Sequence, residues 1–161
     1  MRIVFLVLLV SVLHVQCQNL DDDGWKGLTP LKSDEKDVEA LFGKGEHDNL
    51  GNTRFRQDAV IIEVVFSSGA CTDRLNGRYS VPAGKILNYM VQFKEPVELS
   101  TLKFKRSEYK VKFDRELTDA FTLRSPSDEV VIRVNKRGDK EFLNTIWVRP
   151  TRERLTELRC K

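Results

Sequence analysis

The chain has 161 residues, 40% hydrophobic and 32% charged, with 27 Lys and Arg against 24 Asp and Glu for a formal charge of +3. That length suits about one domain, and such a domain buries roughly 70% of the surface its unfolded chain exposes, enough for a core without metals. So small a net charge gives no ground for a nucleic-acid partner, and charges interspersed with β-branched and aromatic runs argue against disorder.

Met1-Arg2, the uncharged run Ile3–Leu13 and then Val15-Gln16-Cys17 have the form of a secretory signal peptide. A membrane span needs about 20 apolar residues, so residues 1–17 read as a cleaved leader and not as an anchor. Cleavage after Cys17 would put Gln18 at the mature N-terminus and the protein outside the cell. A bacterial lipoprotein cysteine would need Gly, Ala or Ser before it, where Gln16 stands. Residues 18–24, with Asp21-Asp22-Asp23, read as a polar tail, and residues 25–161 as one secreted domain. Three adjacent carboxylates without spaced oxygen ligands or a Gly turn make no calcium cage.

Ser33 is a good N-cap, Asp34 and Glu35 suit the positive end of a helix, and Gly43 can end one. Between them Val38, Leu41 and Phe42 form an apolar stripe, which predicts a helix over 34–42. Lys44–Asn52 reads as a loop carrying His47. Strands are expected at Thr53–Gln57, Ala59–Phe66 and Ile86–Phe93, the last broken by Glu95-Pro96. A long loop with Asn76-Gly77 separates the second from the third. Shorter strands follow at Tyr109–Asp114 and Ala120–Leu123. Val130–Val134 and Phe142–Val148 should form a hairpin, with Gly138 taking positive φ. Pro150 ends the last strand, and Thr151–Leu158 is expected to form a turn or short helix. The fold class is therefore α+β: one short N-terminal helix packed on a mainly antiparallel sheet of six or seven strands.

With Cys17 removed, Cys71 and Cys160 remain. In an oxidising compartment an isolated pair is most simply one disulfide. Two buried thiols or a bridge between chains are the alternatives. No Asn-x-Ser/Thr sequon occurs, so N-glycosylation is not expected.

The stretch Trp25-x-Gly27-Leu28-x-Pro30-Leu31-x-Ser33, followed by Asp37-Val38-Glu39-x-Leu41-Phe42-Gly43, resembles the opening of a family of secreted bacterial proteins of unknown function. Ser67-x-Gly69-x-Cys71 and the terminal Leu158-Arg159-Cys160 resemble later features of that family in the same order. The chain departs from the pattern at Asp34-Glu35-Lys36 and at Lys44, where a proline is usual. The resemblance implies a fold and an extracellular compartment, and no activity. At fold level the helix-then-strands unit is similar to small bacterial envelope modules and β-lactamase-inhibitor-like domains, which bind proteins.

A hydrolytic triad needs a base beside a nucleophile, and His47 is the sole histidine after the leader. An exposed loop histidine is the ordinary reading, no Gly-x-Ser-x-Gly occurs, and both cysteines are expected to be oxidised. Cys71, Cys160 and His47 are too few for a structural zinc site. No phosphate-binding glycine loop or dinucleotide fingerprint appears. Hence no catalytic residue, metal or cofactor is assigned.

The sharpest positive feature is Leu102–Phe113, where Lys103, Lys105, Arg106, Lys110 and Lys112 alternate with Phe104, Tyr109, Val111 and Phe113. Clustered cations bind anions through their summed field, so these five are the candidate anion-binding residues. The plainer reading is a half-exposed strand with aromatics inward and lysines outward. Arg149, Arg152, Arg154 and Arg159 form a second basic cluster, diluted by Glu153 and Glu157. The expected function is a non-enzymatic extracellular binding or matrix component. Its partner would be an anionic polysaccharide, an acidic protein or a mineral surface, with no nucleic acid and no membrane anchor. Two alternatives share the stapled fold: a secreted effector such as a venom component or protein inhibitor, and a small hydrolase using carboxylates.

Overall fold

The computed structural model describes residues 20–21, 24–49, 51–71, 78–114 and 119–160. The expected leader, its cleavage site, Asp22-Asp23 and Asn76-Gly77 lie outside the described residues. Among the described residues, ten strands and two α-helices follow in chain order: β1 (Leu20–Asp21), β2 (Gly24–Trp25), α1 (Glu35–Phe42), β3 (Glu46–His47), β4 (Asn52–Arg56), β5 (Val60–Phe66), β6 (Ile86–Glu98), β7 (Lys110–Phe113), β8 (Ala120–Arg124), β9 (Val130–Arg137), β10 (Lys140–Val148) and α2 (Arg152–Glu157).

Eight strands form one antiparallel sheet in the order β3-β4-β5-β6-β10-β9-β8-β7, while β1 and β2 make a separate ribbon. The chain meanders from β3 to β6, crosses to the far edge and meanders back from β7 to β10. The crossing segment holds two short 3-10 turns, Leu99–Thr101 and Arg106–Glu108. The expected count of six or seven strands is corrected to eight. The added strand is β3, whose two polar residues carry no period-two signal. The single expected helix becomes two, since 151–158 closes into α2, capped by the Thr151 hydroxyl that accepts from the Arg154 N–H.

Helix α1 starts one residue later than expected. Asp34 is its N-cap, accepting from the backbone N–H of Lys36 and Asp37, while the Asp37 carboxylate accepts from the Asp34 N–H. This reciprocal box satisfies donors that Ser33 would have served. Ser33 instead accepts from the Thr29 N–H. Gly43 sits at φ 76°, a left-handed stop.

One face of the sheet is the core. Register aligns Phe55, Ile62, Val91, Ile146, Ile132 and Leu123 in one row and Thr53, Val64, Tyr89, Val148 and Val130 in the next. Val38 and Phe42 of α1 join these buried residues, with Leu28, Leu99 and Leu102. The expected tail over 18–24 is corrected at its described residues. Leu20 is buried in the core and its N–H donates to the Lys103 carbonyl. Trp25 is wholly buried, its ring parallel to that of Phe42 with centroids 5.8 Å apart.

Strand β6 continues past the expected break at Pro96. Its pairing with β5 ends at Val60↔Phe93, and its pairing with β10 shifts between Leu143 and Thr145. A proline lacks the N–H that a central strand needs, so it is tolerated where pairing has lapsed on one side.

Candidate functional site

The five cations expected to share one face do not. Lys105 and Arg106 lie at the 3-10 turn before β7, where the backbone is no longer extended. Lys105 is paired with Glu108 at 3.3 Å. Arg106 reaches Glu141 at 3.1 Å and lies over the Phe121 ring, on the core side of the sheet edge. The Lys103 backbone is engaged by Leu20, and its side chain is exposed. Only Lys110 and Lys112 stand on β7, side by side on the face away from the core. The turn Arg106–Glu108 is the physical reason, because it rotates the chain between the two halves of the segment.

The aromatics are also corrected in part. Tyr109 is buried and meets Phe104 edge to face. Val111 and Phe113 do point to the core side of the sheet, opposite Leu123 and Phe121. Yet Phe113 is 67% exposed, since β7 is the last strand.

Register brings Lys110 and Lys112 beside cations that are distant in sequence. Lys110 pairs with Arg124, which continues through Val131 to Trp147. Lys112 pairs with Thr122, which continues to Arg133 and Thr145. Strands lie about 4.8 Å apart, so the row from Lys110 to Trp147 spans roughly 14 Å. Like charges directly opposite on neighbouring strands destabilise a sheet, and Lys110 and Arg124 are such a pair. Among the described residues, Lys110, Lys112 and Arg133 enter no ion pair. A depression of about 440 Å³ is lined by Lys112, Thr122, Arg124, Arg133 and Trp147, among others.

Arg124 is held by Asp128 in the β8–β9 turn, 2.7 Å from its guanidinium, and Arg149 binds the same carboxylate at 2.6 Å. Burial works against ionisation of Asp128, but the hydrogen bonds and charges of Arg124 and Arg149 outweigh it and hold the carboxyl below its ordinary value. Two guanidinium groups thus share one acid. The expected second basic cluster is divided: Arg149 faces Asp128, while Arg154 pairs with Glu157 within α2.

Cys71 and Cys160 form a disulfide with Cα atoms 5.7 Å apart, within the normal range for a bridge. Backbone bonds support it: the Cys160 N–H donates to the Arg78 carbonyl and the Ser80 N–H to Leu158. The end of α2 is therefore fastened to the stretch Arg78–Ser80. His47 lies on the short edge strand β3, its Nδ1 3.0 Å from the Thr53 hydroxyl and its Nε2 3.7 Å from Glu35. Among the described residues, no group of three or more His, Cys, Asp or Glu side chains is placed to hold a metal ion.

Sequence reasoning missed Arg124, Arg133 and Trp147 as site residues. The available signal was alternation: Thr122 and Arg124 are the outward positions of Ala120–Arg124, and Arg133 is an outward position of β9.

No family model matches the chain, and no curated protein matches it. Among solved structures it is similar to a DUF4309 family protein (YjgB) from Bacillus subtilis, with 13% identity and a TM-score of 0.45. That similarity covers 79% of this chain and 84% of the other.

Proposed function

We propose that the protein is a secreted, non-enzymatic binding module that takes an extended anionic polysaccharide across the outer face of β7, β8, β9 and β10. The observation that carries this reading is the grouping of Lys110, Lys112 and Arg133, which enter no ion pair among the described residues, over two adjacent rows: Lys110 in register with Arg124 and Trp147, and Lys112 in register with Thr122 and Arg133. Cations without internal partners offer their charge to a ligand, and their field sums over the roughly 14 Å of the row. The half-buried indole of Trp147 suits the apolar face of a sugar ring, which an acidic protein would not require. The apparent leader and the disulfide support an extracellular setting.

Retention on immobilised heparin tests this. The parent should be retained at low salt and released as salt rises, because the screening length falls from about 10 Å at 0.1 M to about 3 Å at 1 M. The variant Lys110→Gln/Lys112→Gln/Arg133→Gln should lose retention, with affinity falling about tenfold or more if each contact contributes a few tenths to 1 kcal/mol. Lys103→Gln/Lys105→Gln should elute with the parent. The reverse pattern would move the site to the segment before β7. Equal retention of all three proteins would remove the reading. Stronger retention on polyglutamate than on heparin would assign the face to acidic protein instead.

A further inference from the structure

A second cavity of about 360 Å³ lies beside the basic depression, between the outer face of the sheet and α2. Its lining includes Val131 and Trp147 of the sheet, Tyr79, and Leu155 of α2. Arg124 and Arg149 stand at its polar end. The volume falls within the range of small-molecule sites, and the combination of an apolar body with a few converging polar groups is typical of them.

The polar end is not internally satisfied. The Arg124 Nε is buried and has no hydrogen-bond partner among the described residues. Leaving a buried donor unpaired is costly, and a charged one more so. Asp128 takes the other side of that guanidinium and must also serve Arg149, so the pair of arginines keeps a net positive charge. The Nε itself is enclosed, so a ligand would meet the guanidinium at its Nη groups, the side chain being 33% exposed. A carboxylate suits them, since it accepts hydrogen bonds in the planar geometry that a guanidinium presents. The wall formed by α2 is held by the disulfide and the backbone bonds at Arg78–Ser80, so the cavity is braced on the side away from the sheet.

We propose that this cavity binds a small organic monocarboxylate, with its carboxylate on Arg124 and its aromatic or aliphatic body against Trp147, Val131 and Leu155. The site shares Arg124 and Trp147 with the polysaccharide reading but needs neither Lys110 nor Lys112.

Isothermal titration of the intact, oxidised protein with phenylacetate and with phenylacetamide tests it. Phenylacetate should bind with a Kd on the order of 0.1–1 mM, as suits a ligand of ten heavy atoms. The neutral amide should bind about tenfold or more weakly. Arg124→Gln should weaken phenylacetate about tenfold or more, and Arg124→Lys, which keeps the charge but loses the fork, by several-fold. Asp128→Asn should tighten it, because one competing charge is removed. That gain cannot come from loss of fold. Equal binding of acid and amide, or no change in Arg124→Gln, would overturn the proposal, as would no heat from phenylacetate at millimolar concentration. In Lys110→Gln/Lys112→Gln, phenylacetate binding should persist whether or not heparin retention does, so the two readings can fail separately.

Discussion

Replacing both Cys71 and Cys160 by Ser should lower the unfolding free energy by about 4–5 kcal/mol, less any strain the bridge relieves. The bridge joins residues 89 apart, so its removal returns a large closure entropy to the unfolded chain. In the folded state Cys71 and Cys160 follow different elements, and the backbone bonds at Arg78 and Ser80 would remain to fasten the end of α2. Urea unfolding followed by intrinsic fluorescence should show the midpoint falling by roughly 2 M for a chain of this size. The parent should move to the same midpoint in excess reductant. A double variant within about 1 kcal/mol of the oxidised parent would mean that the bridge contributes little.

Trp25→Ala should cost about 3–5 kcal/mol, the range for removing a large buried aromatic. Trp25 joins the N-terminal ribbon to both other parts of the core. Its ring stacks on Phe42 of α1 and meets Phe93 of the sheet edge to face. Its backbone N–H donates to the Tyr89 hydroxyl at 2.7 Å, and that hydroxyl donates to the Leu28 carbonyl at 2.8 Å. Burial raises the Tyr89 phenol well above its ordinary pKa, although the bond from Trp25 works the other way, so the hydroxyl keeps its proton and its donor role. Tyr89→Phe removes no comparable volume but deletes the hydroxyl that serves the Trp25 N–H and the Leu28 carbonyl, for about 1–3 kcal/mol. Because the two residues touch, the double variant should lose less than the sum of the singles. Chemical denaturation of the three variants checks this. A Trp25→Ala loss below about 1 kcal/mol would mean the ribbon is peripheral to the core.

Much of the fold could be read from local pattern, because local pattern causes it. Val38 and Phe42 on one helix face gave α1, although Leu41, expected on the same stripe, is 47% exposed, and Gly43 at positive φ gave its end. The alternation of Ile86–Phe93 gave the first part of β6, and Gly138 at φ 61° gave the β9–β10 turn. What could not be read depends on partners. Leu20 is a core residue because the ribbon folds back over the sheet, yet the adjacent carboxylates make residues 18–24 read as tail. Strand β3 exists because β4 is there to pair with it.

The candidate site shows the same division. Lys110 and Lys112 were visible as a basic pair, but Lys103, Lys105 and Arg106 were grouped with them by proximity in sequence. The turn at Arg106–Glu108 breaks that proximity, and Glu108 and Glu141 engage two of the three charges. Arg124, Arg133 and Trp147 join the pair through register across four strands, which no single strand encodes. The disulfide was simpler to read, since two cysteines leave one intramolecular pairing.

The most direct measurement of the proposed binding face is an amide and indole chemical-shift titration of the labelled protein with a short heparin-derived oligosaccharide. Saturable shifts should centre on Lys110, Lys112, Thr122, Arg133 and the Trp147 indole N–H, with Lys103, Lys105 and Arg106 unmoved. Shifts confined to Lys103–Glu108, or no saturable shift on the strands of the outer face, would contradict it.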